Sequence, residues 1–334
     1  MVSIGILLAV LSGICNGLFT APMKMEARWK WENIWLVFIV VSCLAMPWLV
    51  VRSTAPGYLL VLARTPSPAV ALPAVFGFSW GFGAICFGRS VHTLGVSLAN
   101  SLVLGVSSAL GSLVPLIMTH PRVSASGLTL LLLGIATFLL GVAMCGSAGR
   151  MRDARASVDK TRPSAAGYVF ALVAGVMSAV FNIGYALAAP IADTGVSLGY
   201  SRMSATNCIW LVMLGAGSLP NLAYCALLLG RNRTAPLFVA PNTGASWTRA
   251  AGMGLLWGGS IFLYGAATPK LGQLGPSVGW PLSLAVGLLV ANLMGLLLGE
   301  WRNTSGAARQ RMYLGIGTLL AAIVLCAVAS RFAS

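Results

Sequence analysis

One pattern occurs twice along this chain and limits what it can fold into. The first copy is Gly77, Trp80, Gly81, Gly88, Leu94 and Gly95. Each member recurs 177 positions later (80 to 257), giving Gly254, Trp257, Gly258, Gly265, Leu271 and Gly272. Both copies read G-x-x-W-G, six residues, G, five residues, L-G, and both lie in hydrophobic runs. Two related halves within a membrane are the expectation, an architecture found mainly among transporters.

Composition removes the soluble alternatives. Of 334 residues, 58% are apolar and 8% charged, where a soluble domain carries about a quarter charged. A bilayer crossing needs about 20 apolar residues. Stretches of that kind run Ile4 to Pro22, Ile34 to Val51, Val70 to Ser90, Ser97 to Met118 and Gly127 to Gly146. They continue at Gly167 to Ala188, Ala205 to Leu229, Ala250 to Thr268, Val278 to Gly299 and Met312 to Ser330. The expected fold is therefore all-α and polytopic, with ten transmembrane helices.

The net charge of +15 would indicate nucleic acid in a soluble protein, but its placement indicates orientation here. One alternate set of loops holds 15 of the 21 Lys and Arg, among them Lys24, Arg28, Lys30, Arg89, Arg150, Arg152, Arg231, Arg249 and Arg302. Positive residues favour the cytoplasmic side, so both termini are expected outside it. No basic residue precedes the first span, which argues against a cleaved signal peptide. All seven cysteines fall within predicted spans without C-x-x-C spacing, as small packing residues do. No HExxH, nucleophile elbow or Walker loop is present. Neither an ATP-driven pump nor a membrane hydrolase is indicated, and no metal site is expected.

The longest polar stretch between spans, 147–166, divides them into five (residues 1–146) and five (residues 167–334). With an odd number per half, the second half enters the membrane in the opposite sense, making an inverted 5+5 repeat with its site near the midplane. A weaker match extends this to the first helix of each half, where Gly13 and Phe19 answer Gly175 and Phe181. Gly77 with Gly81 and Gly254 with Gly258 are small-xxx-small pairs that let helix backbones touch. Pro22, Pro47, Pro73, Pro115, Pro190, Pro220 and Pro281 lie in or at the ends of spans and introduce bends.

Specific residues carry a family resemblance. Phe19-Thr20-Ala21-Pro22-Met23-Lys24, Trp29-Lys30-Trp31-Glu32 and Trp35 open it. Trp80 to Gly83, Phe87-Gly88, Leu94-Gly95, Ala188-Ala189-Pro190, Trp257, Tyr264, Trp280, Glu300-Trp301 and Asn303 continue it in order along nearly the whole chain. Together these resemble the L-rhamnose–proton symporter family of the drug/metabolite transporter superfamily. The resemblance implies ten helices in an inverted repeat and ion-driven uptake of a deoxyhexose across a bacterial inner membrane. The implied partners are a small sugar and the lipid bilayer, with the chain a monomer or homodimer and nucleic acid excluded.

A neutral ring rich in hydroxyls is held by amides, hydroxyls and aromatic faces in a largely preformed cavity. The candidates are Asn16, Trp80, Asn100, Asn182, Tyr185, Trp257, Tyr264, Trp280 and Asn292. Trp80 and Trp257 stand out because the repeat puts them at equivalent places. Trp29, Trp31, Trp35 and Trp48 are read instead as an interfacial belt.

Coupling has fewer candidates. The six acids are Glu26, Glu32, Asp153, Asp159, Asp193 and Glu300, and none sits in the middle of a predicted span, where proton carriers are found. Glu32 or Glu300, each at a helix end, is the expected proton carrier, although Glu300 could equally pair with Arg302 or Lys24. Lys24 and Arg89 stand at the membrane edge, where they either take part in gating or snorkel to the surface. Sodium held by carbonyls and hydroxyls would need no carboxylate, so H+, Na+ and uncoupled passage all stay open, and no cofactor is expected. Export of a neutral metabolite is the competing function; a non-transporting membrane subunit is the other.

Overall fold

The computed structural model describes residues 2–94, 96–119, 124–156, 165–297, 299, 301–302 and 304–332. Among the described residues there are helices and no strand. Apolar segments fold this way because lipid offers their backbones no partners, so each N–H must find its carbonyl within the segment.

The first crossing is α1 (Val2–Leu18), followed by the single turn α2 (Ala21–Lys24). The second is composite: α3 (Trp31–Ile39), a π-helical stretch Val40–Ala45, and α4 (Met46–Thr54). Next come α5 (Tyr58–Arg64), α6 (Ser67–Leu94), α7 (Val96–Thr119) and α8 (Ala125–Ala156). The remaining helices are α9 (Ala165–Leu187), α10 (Ala189–Ser197), α11 (Arg202–Asn232), α12 (Gly244–Ala267), α13 (Gly275–Leu297) and α14 (Gly306–Ala329). A 3-10 turn, Ala235–Val239, precedes α12, and another, Thr268–Leu274, joins α12 to α13. In the latter, Gly272 of the repeat has φ 73° and ψ −154°, backbone angles open essentially only to glycine.

Nine candidate membrane spans are present among the described residues. The eighth, Gly244–Leu297, is 54 residues long and contains both α12 and α13. The helix α8 continues to Ala156, so the first part of the stretch expected to be a linker is helical. Pro22, Pro47 and Pro190 open α2, α4 and α10, where a missing N–H costs nothing. Ser201 and Ser305 cap α11 and α14 by accepting the amides of Ser204 and Ala308.

The outward faces are apolar: Leu7, Leu140 and Val169 are more than half exposed, while Asn182, Asn221 and Ser107 are fully buried. That distribution suits a chain solvated by lipid. Helix α6 packs on α9 and α11, α12 on α1 and α3, α1 on α13, α7 on α9, and α8 on α14. The repeated glycines make the first two contacts possible. A Cβ on Gly77 would stand 2.1 Å from the Met213 carbonyl oxygen, and one on Gly81 2.4 Å from that of Gly217. Likewise, a Cβ on Gly254 would meet Val41 at 2.7 Å and one on Gly258 the Met46 sulfur at 2.7 Å.

The expected tryptophan belt is corrected in two of its four members, Trp29 and Trp35. Trp29 is 5% exposed and Trp35 8%, and Trp31 stacks on Trp35 with ring centroids 5.1 Å apart. Their loop folds back onto the segment before α12, where the Trp29 indole N–H donates to Leu237 O at 3.1 Å and the ring meets Phe238 and Trp247 edge-on. Trp48 alone is exposed, with the Arg52 guanidinium over its ring.

Candidate functional site

Two indoles from helices that do not pack closely on each other meet at the centre. Trp80 of α6 and Trp257 of α12 lie nearly parallel, at 12°, with centroids 5.1 Å apart. Such pairs contribute about 0.5–1.5 kcal/mol beyond the area they bury. Trp80 can lie so close to α11 because residue 217 is glycine; a Cβ there would be 2.7 Å from the ring.

Rings continue on both sides of this stack. Trp257 meets Phe38 edge-on at 5.7 Å, and Phe38 contacts Phe19 and Trp35. On the other side Trp80 leans on Phe181, which stacks on Trp210. Trp210 is parallel to Tyr185, at 3° and 4.5 Å, and Tyr185 adjoins Tyr264, which meets Trp280 edge-on. The flanking rings Phe38, Phe181, Trp210 and Tyr264 are almost fully buried, whereas Trp80 and Trp257 are only partly so.

Beyond the stack lies a neutral polar cluster, seeded by a proline. Pro115 inside α7 supplies no N–H to the Gly111 carbonyl, and the Asn182 side chain of α9 donates to that oxygen instead, at 2.7 Å. The same amide nitrogen reaches Pro276 O at 3.2 Å, and the Asn182 carbonyl accepts from the Tyr264 hydroxyl. The Tyr185 hydroxyl is bonded to that of Thr268. Trp280 donates its indole N–H to Ser107 at 3.2 Å, and Ser107 bonds Ser178 at 2.8 Å. Three further donors, Ser108, Ser112 and the Trp210 indole nitrogen, are buried with no hydrogen-bond partner among the described residues. Buried polar groups are normally paired, and these three are exceptions.

The structure thus joins Trp80 with Trp257, and Asn182 with Tyr185, Tyr264 and Trp280. The other three expected contacts lie apart. Asn16 faces Gly287 of α13, Asn292 faces Cys145 of α8, and Asn100 is half-buried two helical turns before Ser107. Phe181, Trp210, Thr268 and the serines of α7 were not anticipated. The triplet Ser107, Ser108 and Ser112, polar in the middle of an apolar run, is the signal that reveals the last of these.

Among the charged candidates, Glu32 is 4% exposed. Its Oε1 accepts from Asn232 Nδ2 at 3.0 Å and Thr234 Oγ1 at 2.8 Å, both neutral donors. The neighbouring Asn33 donates to Thr234 O at 3.0 Å and leaves its own carbonyl oxygen buried without a partner among the described residues. Arg89 is exposed and lies over the Phe170 ring, 5.3 Å from its centroid. Lys24 ends α2, but its side chain is outside the described part, and Glu300 lies outside the described residues.

Glu26 has a different task. Its Oε1 accepts from the amides of Arg28 (2.9 Å) and Trp29 (3.1 Å) and from the Ser246 hydroxyl (2.9 Å), and Oε2 accepts from Arg249 at 3.1 Å. Burial works to raise the carboxyl pKa, but those four donors outweigh it and hold it at about 2, against 4.5 for the free group. A depressed carboxylate contributes stability above its unfolded pKa and loses it as pH falls towards the folded value. Acidification from about pH 5 to 3 is therefore expected to lower the melting temperature of detergent-solubilised protein. Glu26→Gln should melt lower at neutral pH and respond less to acid; equal acid slopes in the two proteins would assign the sensitivity elsewhere.

Comparison with known proteins identifies the family. The family model described as L-rhamnose-proton symport protein (RhaT) matches residues 1–333. The L-rhamnose-proton symporter of Cronobacter sakazakii is 26% identical over 331 residues, covering 96% of each chain, and that of Klebsiella pneumoniae is 25% identical over the same shares. A crystal structure of a protein 14% identical, covering 99% of this chain and 96% of the other, superposes with a TM-score of 0.55 and shows the fold alone.

Proposed function

Because this chain belongs to the L-rhamnose–proton symport family, a family of transporters and not of enzymes, we propose that it imports a neutral deoxyhexose, L-rhamnose, together with a proton. The observation that carries the reading is the stacked Trp80–Trp257 pair beside a cluster of amides and hydroxyls that holds no charged side chain. Flat rings cover the C–H face of a sugar, and neutral donors and acceptors match its hydroxyls. A cationic substrate would find no counter-charge in that cluster.

We read Gly244–Leu297 as two crossings, which makes ten spans in two inverted halves, 1–146 and 167–334, joined by 147–166. The packing supports this pairing. Exchanging equivalent helices turns the α6–α11 contact into α12–α3, and the α1–α13 contact into α9–α7. Gly13 meets Val286 as its equivalent Gly175 meets Val106. The end braces match as well: the loop holding Glu26 is tied to that before α12, and the loop holding Tyr200 is tied to that before α5 by Gly57 N–H donating to the Tyr200 hydroxyl at 2.8 Å. Rocking of the halves about the central stack then opens the site to each side in turn, in an inner membrane with both termini on its outer face.

For the proton, Glu32 is the acid best suited among the described residues: it is buried at the start of a span and bonded by neutral groups, whereas Glu26 and Asp193 are paired with Arg249 and Arg202. Vesicles holding the purified protein and a pH-sensitive dye test this. A pulse of L-rhamnose in sodium-free buffer should acidify the lumen, and Glu32→Gln should abolish acidification while leaving sugar exchange. Sugar entry that needs sodium, or acidification that survives Glu32→Gln, would remove the proton or the carboxylate respectively.

A further inference from the structure

The central stack occupies the place where, on the reading just given, a sugar would sit. The helices that carry the two indoles pack on other neighbours, α6 on α9 and α11 and α12 on α1 and α3, so α6 and α12 meet through these two side chains. Both indoles are partly exposed in the middle of their spans while facing each other, and the rings that flank them are buried. The indole N–H groups of neighbouring Trp35 and Trp280 are committed to Asn221 and Ser107. Those of Trp80 and Trp257 donate to no acceptor among the described residues.

We infer that the Trp80–Trp257 stack is the closed form of the sugar slot: the pyranose enters by parting the two indoles and is held between them, one ring on each face. The inference rests on the sugar-transport reading and deepens it. In the empty protein each indole shields the other's apolar face and plugs the path between the halves. A sugar replaces one ring–ring contact with two ring–sugar contacts and gains two free N–H donors for its hydroxyls. A deoxyhexose suits such a slot better than a fully hydroxylated hexose, because its methyl group adds apolar surface. The equivalence of the two tryptophans in the repeat also explains the opening: a plug with one half from each bundle separates when the bundles rock.

Two stacked indoles couple excitonically, so their circular dichroism reports the stack. Trp31 and Trp35 are stacked too, and the difference between wild type and Trp80→Phe isolates the central pair. L-rhamnose is titrated into purified wild type, Trp80→Phe and Trp257→Phe, with binding measured on the same samples by equilibrium dialysis of labelled sugar. The difference couplet should be present without sugar, absent from both variants, and lost over the concentration range in which sugar binds. Each phenylalanine variant should bind about threefold more weakly, as expected for loss of part of one aromatic contact. Sugar binding with the couplet intact would overturn the slot and leave the transport reading standing. Absence of L-rhamnose binding by folded wild type would overturn the transport reading, and the slot with it.

Discussion

Asn182→Ala is expected to destabilise the protein by about 2 kcal/mol or more and to abolish sugar uptake. The residue is fully buried, and its amide is the donor found by the Gly111 carbonyl, whose helical partner position is Pro115. Truncation strands that carbonyl and the Tyr264 hydroxyl together. A buried polar group left unpaired costs about 1–3 kcal/mol, and interhelical bonds in membranes fall near the low end of such ranges. Ser108→Ala provides the contrast, because its hydroxyl is buried and already without a partner. Removing it should leave stability unchanged or slightly higher while weakening sugar binding. Thermal unfolding in detergent, with binding on the same preparations, reads both effects. Equal destabilisation by the two substitutions would mean that hydrogen bonding to Asn182 contributes nothing specific.

Gly77→Leu should prevent folding. Its Cβ would lie 2.1 Å from the Met213 carbonyl oxygen, and a backbone atom cannot move aside as a flexible side chain can. Overpacking typically costs about 1–3 kcal/mol and occasionally more; separating α6 from α11 belongs at the upper end, because the whole contact must open. Gly252→Ala on α12 is the control. A Cβ there meets nothing within 4 Å, and exchanging glycine for alanine in a helix favours it by up to about 1 kcal/mol. The yield of monodisperse protein after detergent extraction distinguishes the two. Normal yield of Gly77→Leu would refute the close contact.

The helix contacts of Gly77, Gly81, Gly254 and Gly258 were readable because backbone contact between helices in lipid demands glycine, and the repeated pattern singled out Trp80 and Trp257, which stack. Asn182, Tyr185, Tyr264 and Trp280 were readable as polar or amphipathic groups in apolar runs, and they converge. Asn16, Asn100 and Asn292 share that signature yet lie apart, because hydrophobicity records depth in the membrane and not the direction a side chain faces. Trp29 and Trp35 misled for a related reason. A tryptophan next to a loop suits an interface, and only the return of residues 235–247 over that loop buries it. The π-helical stretch Val40–Ala45 left no trace in the sequence; it lies in the crossing that receives Gly254 and Gly258.

On the proposed reading, a deoxyhexose crosses the membrane through this chain, drawn by an ion gradient. Uptake of labelled L-rhamnose into liposomes containing only the purified protein, under an imposed proton gradient, a sodium gradient or neither, tests it most directly. Accumulation above equilibrium is expected with the proton gradient alone, and slow equilibration in its absence. No uptake of L-rhamnose under any of the three conditions, by protein that is folded and inserted, would contradict it.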